Sequence, residues 1–466
     1  MSKESSHTAL LWIVAAGFFM QALDTTIVNT ALPSIAHSLH VRPLEMQPVI
    51  VAYTLTMAML TPASGWLADR FGTRRVYFTA ILIFVLGSLC CANAHSLGQL
   101  VVARVLQGVG GSMLLPIGRL AVLRAVSGEA YVSALALISV SGQVGPIVGP
   151  TLGGWFVQAF SWHWIFLINA PIGVAGLFAV LRYLPRATGE SAPAFDVAGC
   201  ALVSLCMIAF SLAVEVPGQS HRAAWSAGLF VLGLVSALAY VPYARRRQNP
   251  LFKLALFREP NFSVGLIGNL LCRIGSSAVP FLVPLLMQVE LGYSPLRSGI
   301  MMLPAAIAGA LAKRWIAPLI RRYGYDTFLL VNTLIVGMSI VAFALISHDM
   351  PVIVEIAVLA IFGAANSMQF AAMNSVTLKG LSHEDAGSGN SLFSMVQMLA
   401  MGLGVSVGGA LVNGVADQWG SVALGFRVSF AVVGAITLAS ALIFRRIEET
   451  PAAVSTPVKA AAAGGR

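Results

Sequence analysis

Three ionisable side chains lie inside long apolar stretches of the sequence, where a charge is costly. Asp24 interrupts the segment QALDTTIVNTALP, Arg104 begins the segment RVLQGVGG, and Arg273 follows the run NLLC. A carboxylate takes up and releases a proton, and burial and neighbouring charges set its affinity for that proton. A guanidinium stays charged and binds carboxylates or other anions. These residue types predict a site that carries a proton or binds a small charged molecule.

The stretches that hold these residues are predicted to be membrane-spanning helices. Hydrophobic residues make up 58% of the 466-residue chain and charged residues 10%, with a mean hydropathy of +0.84. Apolar runs of about 20 residues, the length that crosses a bilayer, recur between short polar loops. We therefore predict an all-α polytopic membrane protein with fourteen spans. They lie near residues 9–32, 47–68, 76–95, 98–118, 131–156, 164–184, 197–216, 224–243, 262–287, 298–318, 327–347, 351–373, 389–414 and 423–444.

The distribution of basic residues indicates how these spans are oriented. If the amino terminus is cytoplasmic, the cytoplasmic face carries 20 of the 28 Lys and Arg residues and the opposite face carries 4. Such an excess is typical of cytoplasmic loops, so we expect both termini in the cytoplasm. The net charge of +10 then needs no nucleic-acid partner, because the basic residues are scattered between spans and no soluble domain gathers them.

The order of the spans predicts two similar halves. Residues 1–184 are predicted to form an N-terminal six-helix bundle and residues 262–445 a C-terminal one. Between them, residues 185–261 supply two inserted helices and a basic cytoplasmic linker, and residues 446–466 form a cytoplasmic tail. A weak repeat supports the duplication, since RFG at 70–72 and RYG at 322–324 each follow the second span of a half.

The short loop after the second span, GWLADRFGTRR, is predicted to hold two helices together. A glycine at 65 permits close helix approach, and one at 72 permits a turn with positive φ. The aspartate can pair with a neighbouring arginine or a helix N-terminus. An ordinary basic inside loop is the alternative. The residues of this loop expected to act in conformational change are Gly65, Asp69, Arg70, Gly72, Arg74 and Arg75.

The fifth span carries glycines at three- and four-residue steps in GQVGPIVGPTLGG. This spacing places them on one helical face, where another helix can pack closely. The two prolines remove backbone donors and should bend the helix, which suits a span that meets the other half at a moving interface. A rigid close-packed crossing is the alternative. The residues expected to act here are Gly142, Gly145, Pro146, Gly149, Pro150, Gly153 and Gly154.

These motifs resemble those of a known family. GWLADRFGTRR is similar to the signature loop of the major facilitator superfamily, RVLQGVGG to its fourth-span motif and GQVGPIVGPTLGG to its antiporter motif. LDTTIVNTALP and WHWIFLINAPIG resemble segments of the fourteen-spanner drug:proton antiporters within it. The resemblance covers nearly the whole chain. It implies two six-helix bundles plus two extra helices, and proton-coupled efflux of drugs or other small organic molecules across the bacterial inner membrane.

Asp24 and Arg104 are the predicted coupling residues. A charge near the bilayer centre costs about 2.5–3.5 kcal/mol on insertion scales, so both should face the bundle interior or water. We expect Asp24 to face a central cavity as a proton or substrate site, and the resemblance associates Arg104 with proton coupling. A permanent structural ion pair between them is the alternative. Asn29 and Gln107 are expected in the substrate cavity, where they could share the donors of Arg104.

Arg273 predicts a preference for anions. With Asp24 ionised, Arg104 and Arg273 leave the expected cavity with a net positive charge, which favours an organic acid, a siderophore or a metal chelate over a lipophilic cation. A structural pairing of Arg273 is the alternative. Lys313 and Arg314 lie near a predicted span end, so we expect their long side chains to reach the interface without a role in transport.

Other classes of function receive less support from the sequence. The five cysteines fall within spans without metal-like spacing, the ATP-binding pattern GxxxxGK[ST] is absent, and no catalytic cluster stands out. We expect no enzymatic activity, cofactor or metal. The expected partners are a small-molecule substrate, protons and the lipid bilayer, with a monomer as the working expectation. A passive channel or facilitator and a non-transporting membrane sensor remain as alternatives.

Overall fold

The computed structural model describes residues 3–125, 129–184, 194–215 and 220–447. Within these ranges the chain forms helices and no β-strand. The predicted tail beyond residue 447, part of the linker and the basic residues Arg186, Lys459 and Arg466 lie outside the described residues. The α-helices are α1 (Lys3–Ser38), α2 (Gln47–Leu60), α3 (Ser64–Phe71), α4 (Thr73–Ala92), α5 (Leu97–Ala125), α6 (Glu129–Ala159), α7 (Trp164–Leu167), α8 (Asn169–Tyr183), α9 (Val197–Glu215), α10 (Ser220–Arg246), α11 (Pro260–Leu285), α12 (Pro295–Met301), α13 (Leu303–Ala312), α14 (Ile316–Ala342), α15 (Val352–Lys379), α16 (His383–Trp419) and α17 (Val422–Phe444).

The helices coincide with the predicted spans. Twelve stretches of the described chain are long and apolar enough to cross a membrane. One of them, the 51 residues Pro295–Leu345, covers the tenth and eleventh predicted spans, and its helix breaks at Gly324. Helix α6 covers the fifth predicted span, 131–156. A helix therefore lies at each of the fourteen predicted positions, and the all-α polytopic fold is confirmed.

The long helices group into two packed sets. In the first, α1 packs on α6 and α8, α4 packs on α5 and α8, and α2 packs on α5. In the second, α11 packs on α16 and α17, α14 packs on α15 and α17, and α13 packs on α15. Glycines bring some of these helices into backbone contact. A Cβ atom at Gly87 of α4 would lie 2.5 Å from the Cα atom of Gln107, so α4 and α5 cross at the closest approach that a helix pair allows.

The glycine turn predicted at residue 72 is present, and the repeated glycine at residue 324 forms a turn of the same kind. Gly72 has a φ of 84° and Gly324 a φ of 78°, a region that favours glycine because a Cβ atom would clash with the backbone. Each glycine separates two helical segments at the same point of its half. The short RFG and RYG repeat therefore marks equivalent turns.

The two inserted helices join the halves. Helices α9 and α10 pack on each other, and α9 also packs on α2 of the first set and α16 of the second. Asp196, just before α9, is buried and accepts hydrogen bonds from the amides of Gly199 and Leu251 and from the hydroxyl of Tyr243. Burial opposes ionisation, but these donors outweigh it and hold the pKa of Asp196 below its usual range. The ionised Asp196 thus ties α9 to α10 and to the linker that follows.

Hydrogen bonds between the two halves are concentrated on one side of the molecule, although α2 and α16 also pack on each other across the halves. We call the side where α1 begins and α17 ends the terminus side, and the other the opposite side. Four cross-half hydrogen bonds or ion pairs lie towards the opposite side: Arg42 to Asp417 at 2.9 Å, Asn413 to the Leu44 carbonyl at 2.9 Å, Gln288 to the Thr30 carbonyl at 2.9 Å and Thr151 to the Gly299 carbonyl at 3.2 Å. The opposite side is therefore closed in this conformation.

The glycine face of the fifth span allows close packing of another helix, as expected. Cβ atoms at Gly145 and Gly153 would lie 2.7 and 2.4 Å from backbone atoms of α1, and Gly149 faces Thr26 of the same helix. The span also meets the other half, where α6 packs on α12 and α13. The residues that do meet the other half are neighbours on a different face. Gly154 lies against Pro295 and Pro150 against Gly299.

Candidate transport site

Asp24 lies at the centre of a polar network inside the first helix set. Its side chain is fully buried, and its Oδ2 atom accepts a hydrogen bond of 2.7 Å from Arg104 Nη1. Its Oδ1 atom accepts from Gln107 Nε2 at 2.7 Å and from Asn169 Nδ2 at 3.2 Å. A charge-assisted pair of this kind is strong when its remaining polar atoms are also satisfied.

Arg104 has partners besides Asp24. Its Nε atom donates to the Val49 carbonyl at 3.1 Å, and its Nη1 atom also donates to Gln107 Oε1 at 2.7 Å. The guanidinium carbon lies 4.0 Å from the ring centroid of Tyr53, a cation–π contact. Because these contacts do not involve the carboxylate, they remain available to Arg104 when Asp24 is neutral.

Five helices position this network. Arg104 and Gln107 lie one turn apart on α5, so both point towards α1. The close crossing at Gly87 brings the adjacent Ser88 of α4 to within 2.7 Å of Gln107 Nε2, and Ser88 also accepts from Asn169 of α8 at 3.0 Å. Helix α2 contributes Val49 and Tyr53.

Contrary to expectation, Asp24 does not face a central cavity, and its placement agrees with the alternative, an ion pair with Arg104. Asp24 lines no cavity between the halves in this conformation, because Arg104, Gln107 and Asn169 enclose its carboxylate. Gln107 belongs to the same network and is likewise absent from the cavity wall, so its predicted cavity position is wrong. Asn29, five residues beyond Asp24, does line the cavity. It is not among the residues that accept a hydrogen bond from Arg104.

A central cavity of about 310 Å³ lies between the halves. Thr26 and Asn29 of α1 and the two prolines of α6 form the wall on the first half. Residues of α11, α13 and α15 form the wall on the second half, where Phe362 and Phe370 supply aromatic surface and Asn366 and Ser367 supply polar groups. A mostly apolar wall with few polar groups is typical of a small-molecule site.

Arg273 lies in this cavity, as predicted from its position in the ninth span. Its guanidinium carbon is 4.3 Å from the ring centroid of Phe370, and its buried Nε atom has no hydrogen-bond partner among the described residues. A desolvated guanidinium with an unused donor can bind an anionic or carbonyl group of a ligand.

Lys313 also lines the cavity, and the expectation that it reaches the membrane interface is wrong. Its Nζ atom donates to Gln143 Oε1 of α6 at 2.7 Å, so the side chain crosses from the second half to the first. The neighbouring Arg314 is exposed and lies over Trp315. The two adjacent basic residues therefore face different surroundings, which their positions in the sequence did not separate.

A second cavity of about 560 Å³, which we call the terminus-side chamber, opens between α3, α5 and α16. Gln21, Ser112, Ser391 and Ser394 contribute to its wall, together with Gly65 of the predicted loop motif. The chamber lies on the side where the halves are not joined by the contacts described above. It gives the first helix set a second cavity wall, on the terminus side.

The loop GWLADRFGTRR connects its neighbouring helices through polar side chains, but the close helix approach predicted at Gly65 is wrong, because a Cβ atom there would meet nothing within 4 Å. Asp69 pairs with Arg124 at the end of α5 at 2.6 Å, and both side chains are partly exposed. Arg74 donates to the Leu181 carbonyl of α8, whereas Arg70 and Arg75 are exposed. An exposed ion pair contributes little to stability. We therefore note this pair for its position at a junction of helices and not for its energy.

Sequence reasoning missed part of the site. Ser88, Asn169 and Tyr53 were not selected, although each is a polar group within a predicted span. The second half has a neutral counterpart that was also missed. Asn332 donates to Gln369 Oε1 at 2.7 Å, and Gln369 donates to Thr333 at 2.6 Å. A titratable carboxylate and its cation thus occur in the first network and not in the second.

Two helix sets around a central cavity, with a buried ion pair in one of them, define a polytopic membrane transporter. Residues 14–405 match the family model described as Major Facilitator Superfamily. The chain belongs to this superfamily. The family resemblance expected from the motifs is thereby confirmed.

Relatives of this chain are named as drug-resistance proteins. The chain is 44% identical to the "Putative multidrug resistance protein MdtD" of Serratia proteamaculans, over 95% of this chain and 94% of that protein. The protein of the same name from Klebsiella pneumoniae is also 44% identical, over 94% of each. These relatives match nearly end to end, which agrees with the extent of the motif resemblance.

Solved structures share the fold. A POT family transporter in complex with 5-aminolevulinic acid has a TM-score of 0.71 at 16% identity, over 93% of this chain and 94% of that one. The nucleoside transporter NupG has a TM-score of 0.65 at 14% identity, over 94% and 98%. At this identity the likeness concerns the fold alone.

Proposed function

We propose that this chain is a proton-coupled efflux transporter for drugs or other small organic molecules, located in the bacterial inner membrane with both termini in the cytoplasm. The buried pair of Asp24 and Arg104 is the observation that carries the proposal. The names of the relatives favour drug-like substrates. The excess of basic residues on the terminus side indicates that this side faces the cytoplasm.

Asp24 is the proton-carrying group in this proposal. When it binds a proton, Arg104 loses an anionic partner but keeps the Val49 carbonyl, Gln107 Oε1 and the face of Tyr53. The alternative partners lower the cost of separating the pair, so the network can exist in two states. The carboxylate would thereby couple its protonation to the relative position of α1 and α5.

The membrane potential is sufficient to drive such a cycle. One charge that crosses 100 mV supplies about 2.3 kcal/mol. A tenfold gradient of a neutral solute requires about 1.4 kcal/mol, so one proton can sustain roughly a forty-fold gradient. No further energy source is needed for efflux of this size.

Alternating access follows from the two halves. We propose that residues 1–184 and 262–445 form the two moving bundles. Residues 185–261 form the inserted helix pair with its linker, and residues 446–466 form the tail. In the conformation described, the contacts on the opposite side close the cavity there, which corresponds to a state open towards the cytoplasm. We propose that the loop with Asp69 and the α6 residues Pro150 and Gly154 change their contacts as the transporter opens outward.

A flux assay in proteoliposomes with an imposed pH gradient tests this function. We expect substrate to accumulate uphill with movement of protons, and Asp24→Asn to abolish the uphill component. Asp349→Asn is the matched control, because this carboxylate is exposed and lies outside the network. Downhill movement alone would favour a facilitator, and no substrate flux would favour a non-transporting protein. Full proton-driven accumulation by Asp24→Asn would overturn the assigned role of this residue.

Export of an organic anion, a siderophore or a metal chelate is a second candidate. Arg273 and Lys313 are the charged side chains among the described residues that line the central cavity, and no carboxylate lines it with them. Two cations in a low-dielectric wall disfavour a lipophilic cation and favour an anion. The same assay decides between the candidates when cationic and anionic compounds compete. Transport that is indifferent to charge and unchanged by Arg273→Ala would contradict the anion candidate.

A further inference from the structure

Asp24 needs a connection to water if it is to release a proton from this conformation, and the proposed function requires that release. The carboxylate is fully buried and lines neither the central cavity nor the terminus-side chamber. The halves are joined on the opposite side, so a connection there would have to cross a closed contact. Two cavities approach Asp24 along α1, since Thr26 of the central cavity lies two positions beyond it and Gln21 of the terminus-side chamber lies three positions before it.

Gln21 is a buried polar group at the wall of that chamber. It lies three positions before Asp24, which places it about 60° around the helix and about one turn closer to the terminus side. Its side chain is 7% exposed, and its Nε2 atom lies 3.5 Å from the sulfur of Met57. Its Oε1 atom accepts no hydrogen bond from the described protein. An unpaired buried amide oxygen next to a chamber is the kind of group that an ordered water serves.

Tyr53 continues the polar surface from Gln21 to the ion pair. It lies one turn from Met57 on α2, and its ring carries the guanidinium of Arg104. Its hydroxyl is buried beside the Thr25 side chain of α1 and makes no hydrogen bond of standard geometry with the described residues. Gly111 of α5 lies beside both groups, since a Cβ atom there would be 2.8 Å from the Tyr53 hydroxyl and 3.2 Å from the Met57 sulfur. Glycine at this position lets both side chains pack directly against α5, between the chamber wall and the network.

The carboxylate has an acceptor position available for the proton. Its Oδ1 atom accepts two hydrogen bonds, from Gln107 and Asn169, whereas its Oδ2 atom accepts one, from Arg104. An ionised carboxylate has about four acceptor positions, so Oδ2 keeps an open one. The ionisable groups that surround the network are Arg104 on α5, Tyr53 on α2 and Cys91 on α4.

We propose that Gln21 and Tyr53 line a water-filled proton route between Asp24 and the terminus-side chamber. In the release step the O–H bond at Asp24 Oδ2 breaks, the electron pair stays on the carboxylate, and a water molecule takes the proton. Waters held by the Tyr53 hydroxyl and the Gln21 amide pass it to the chamber. Uptake from this side follows the reverse path. Gln21 and Tyr53 are positioning residues for the water, and Asp24 remains the group that carries the proton.

Hydrogen–deuterium exchange of the protonated Asp24 carboxyl tests the route. At acidic pH the purified full-length transporter should show a carboxylic C=O stretch in the infrared that is lost in Asp24→Asn and shifts on transfer to D₂O. We expect Gln21→Leu to slow this shift about tenfold or more, since an apolar side chain replaces the group that holds water. Gln21→Ser keeps a hydroxyl at the chamber wall and should restore most of the rate.

Gly111→Ala provides an independent obstruction. Its Cβ atom would occupy the space beside the Tyr53 hydroxyl, so we expect the same slowing without a change in polarity. Gly98→Ala is the matched control on the same helix, because a Cβ atom there meets nothing within 4 Å. Circular dichroism and thermal unfolding of every variant identify any that fail to fold, and a rate is read from the folded ones.

The outcomes separate this proposal from the proposed function. If no carboxyl band depends on Asp24, the function assigned to Asp24 fails and the route fails with it. If the band depends on Asp24 but exchanges at the wild-type rate in folded Gln21→Leu and Gly111→Ala, only the route is overturned. Slow exchange in both variants, with wild-type rates in Gln21→Ser and Gly98→Ala, supports it.

Discussion

Removal of Arg104 should destabilise the protein more than neutralisation of Asp24. In Arg104→Met the carboxylate keeps two neutral donors, Gln107 and Asn169, but loses its cation while it stays fully buried. While the carboxylate stays ionised, an uncompensated buried charge of this kind costs about 3–5 kcal/mol. In Asp24→Asn the arginine keeps the Val49 carbonyl, Gln107 Oε1 and the Tyr53 face, so the expected cost is about 1–3 kcal/mol.

The double variant measures how strongly the two charges interact. Because Arg104→Met with Asp24→Asn removes both charges, we expect it to be about as stable as Arg104→Met alone or more stable. The interaction energy between the two substitutions should then be at least the cost of Asp24→Asn, about 1–3 kcal/mol, within the range for neighbouring residues. Free energies of unfolding from reversible SDS titration in mixed micelles, followed by circular dichroism, supply the four values.

The control and the refutation are both available in this chain. Arg314→Met removes an exposed cation of the same type and should leave the free energy of unfolding within about 0.5 kcal/mol of the parent. If Arg104→Met costs no more than Asp24→Asn, or if the two substitutions add within about 0.5 kcal/mol, the pair is not the interacting unit described here.

Three further substitutions test other parts of the structure. Lys313→Gln should weaken transport of anionic substrates more than transport of neutral ones, because Lys313 lines the cavity. Arg314→Gln should leave both unchanged, because Arg314 does not line it. Equal effects of the two substitutions in the flux assay would contradict this prediction. Gly154→Val should disfavour closure of the opposite side, since a Cβ atom would lie 2.2 Å from the Pro295 carbonyl, and labelling of an introduced cysteine on that side should increase. Asp196 stabilises the fold above the pKa of an unfolded aspartate, about 3.9, and this contribution is lost as the pH falls through its lower folded pKa. Thermal unfolding between pH 3 and pH 7 should therefore depend less on pH in Asp196→Asn than in the parent.

Much of the fold could be predicted because its signals are local. The fourteen apolar runs follow from the length that a bilayer requires, and the helices lie at each of these positions. The turn at Gly72 could be predicted from one residue type, because positive φ favours glycine whatever surrounds it. The break within Pro295–Leu345 lies between the tenth and eleventh predicted spans, and the structure places it at Gly324.

The candidate site could be predicted in its residues but less in its geometry. Asp24, Arg104 and Arg273 were selected because a charge within a span is costly, and the structure brings the first two together and puts the third in the cavity. The neutral members of the network gave a weaker signal, since a buried serine, asparagine or tyrosine is common in any helix bundle. Lys313 was misjudged because distance from a span end does not tell which way a long side chain turns.

The sequence by itself determined which segments are helices in the membrane, where the chain repeats its plan, and which charges must be shielded from lipid. Only the tertiary structure decided which neighbour each side chain meets. Asp24 and Asn29 lie on one helix, five residues and therefore about 140° apart, so one faces α5 within its own half and the other faces the cavity between the halves. Helical periodicity gives that angle, but the helix that occupies each direction is set by packing between segments far apart in the chain.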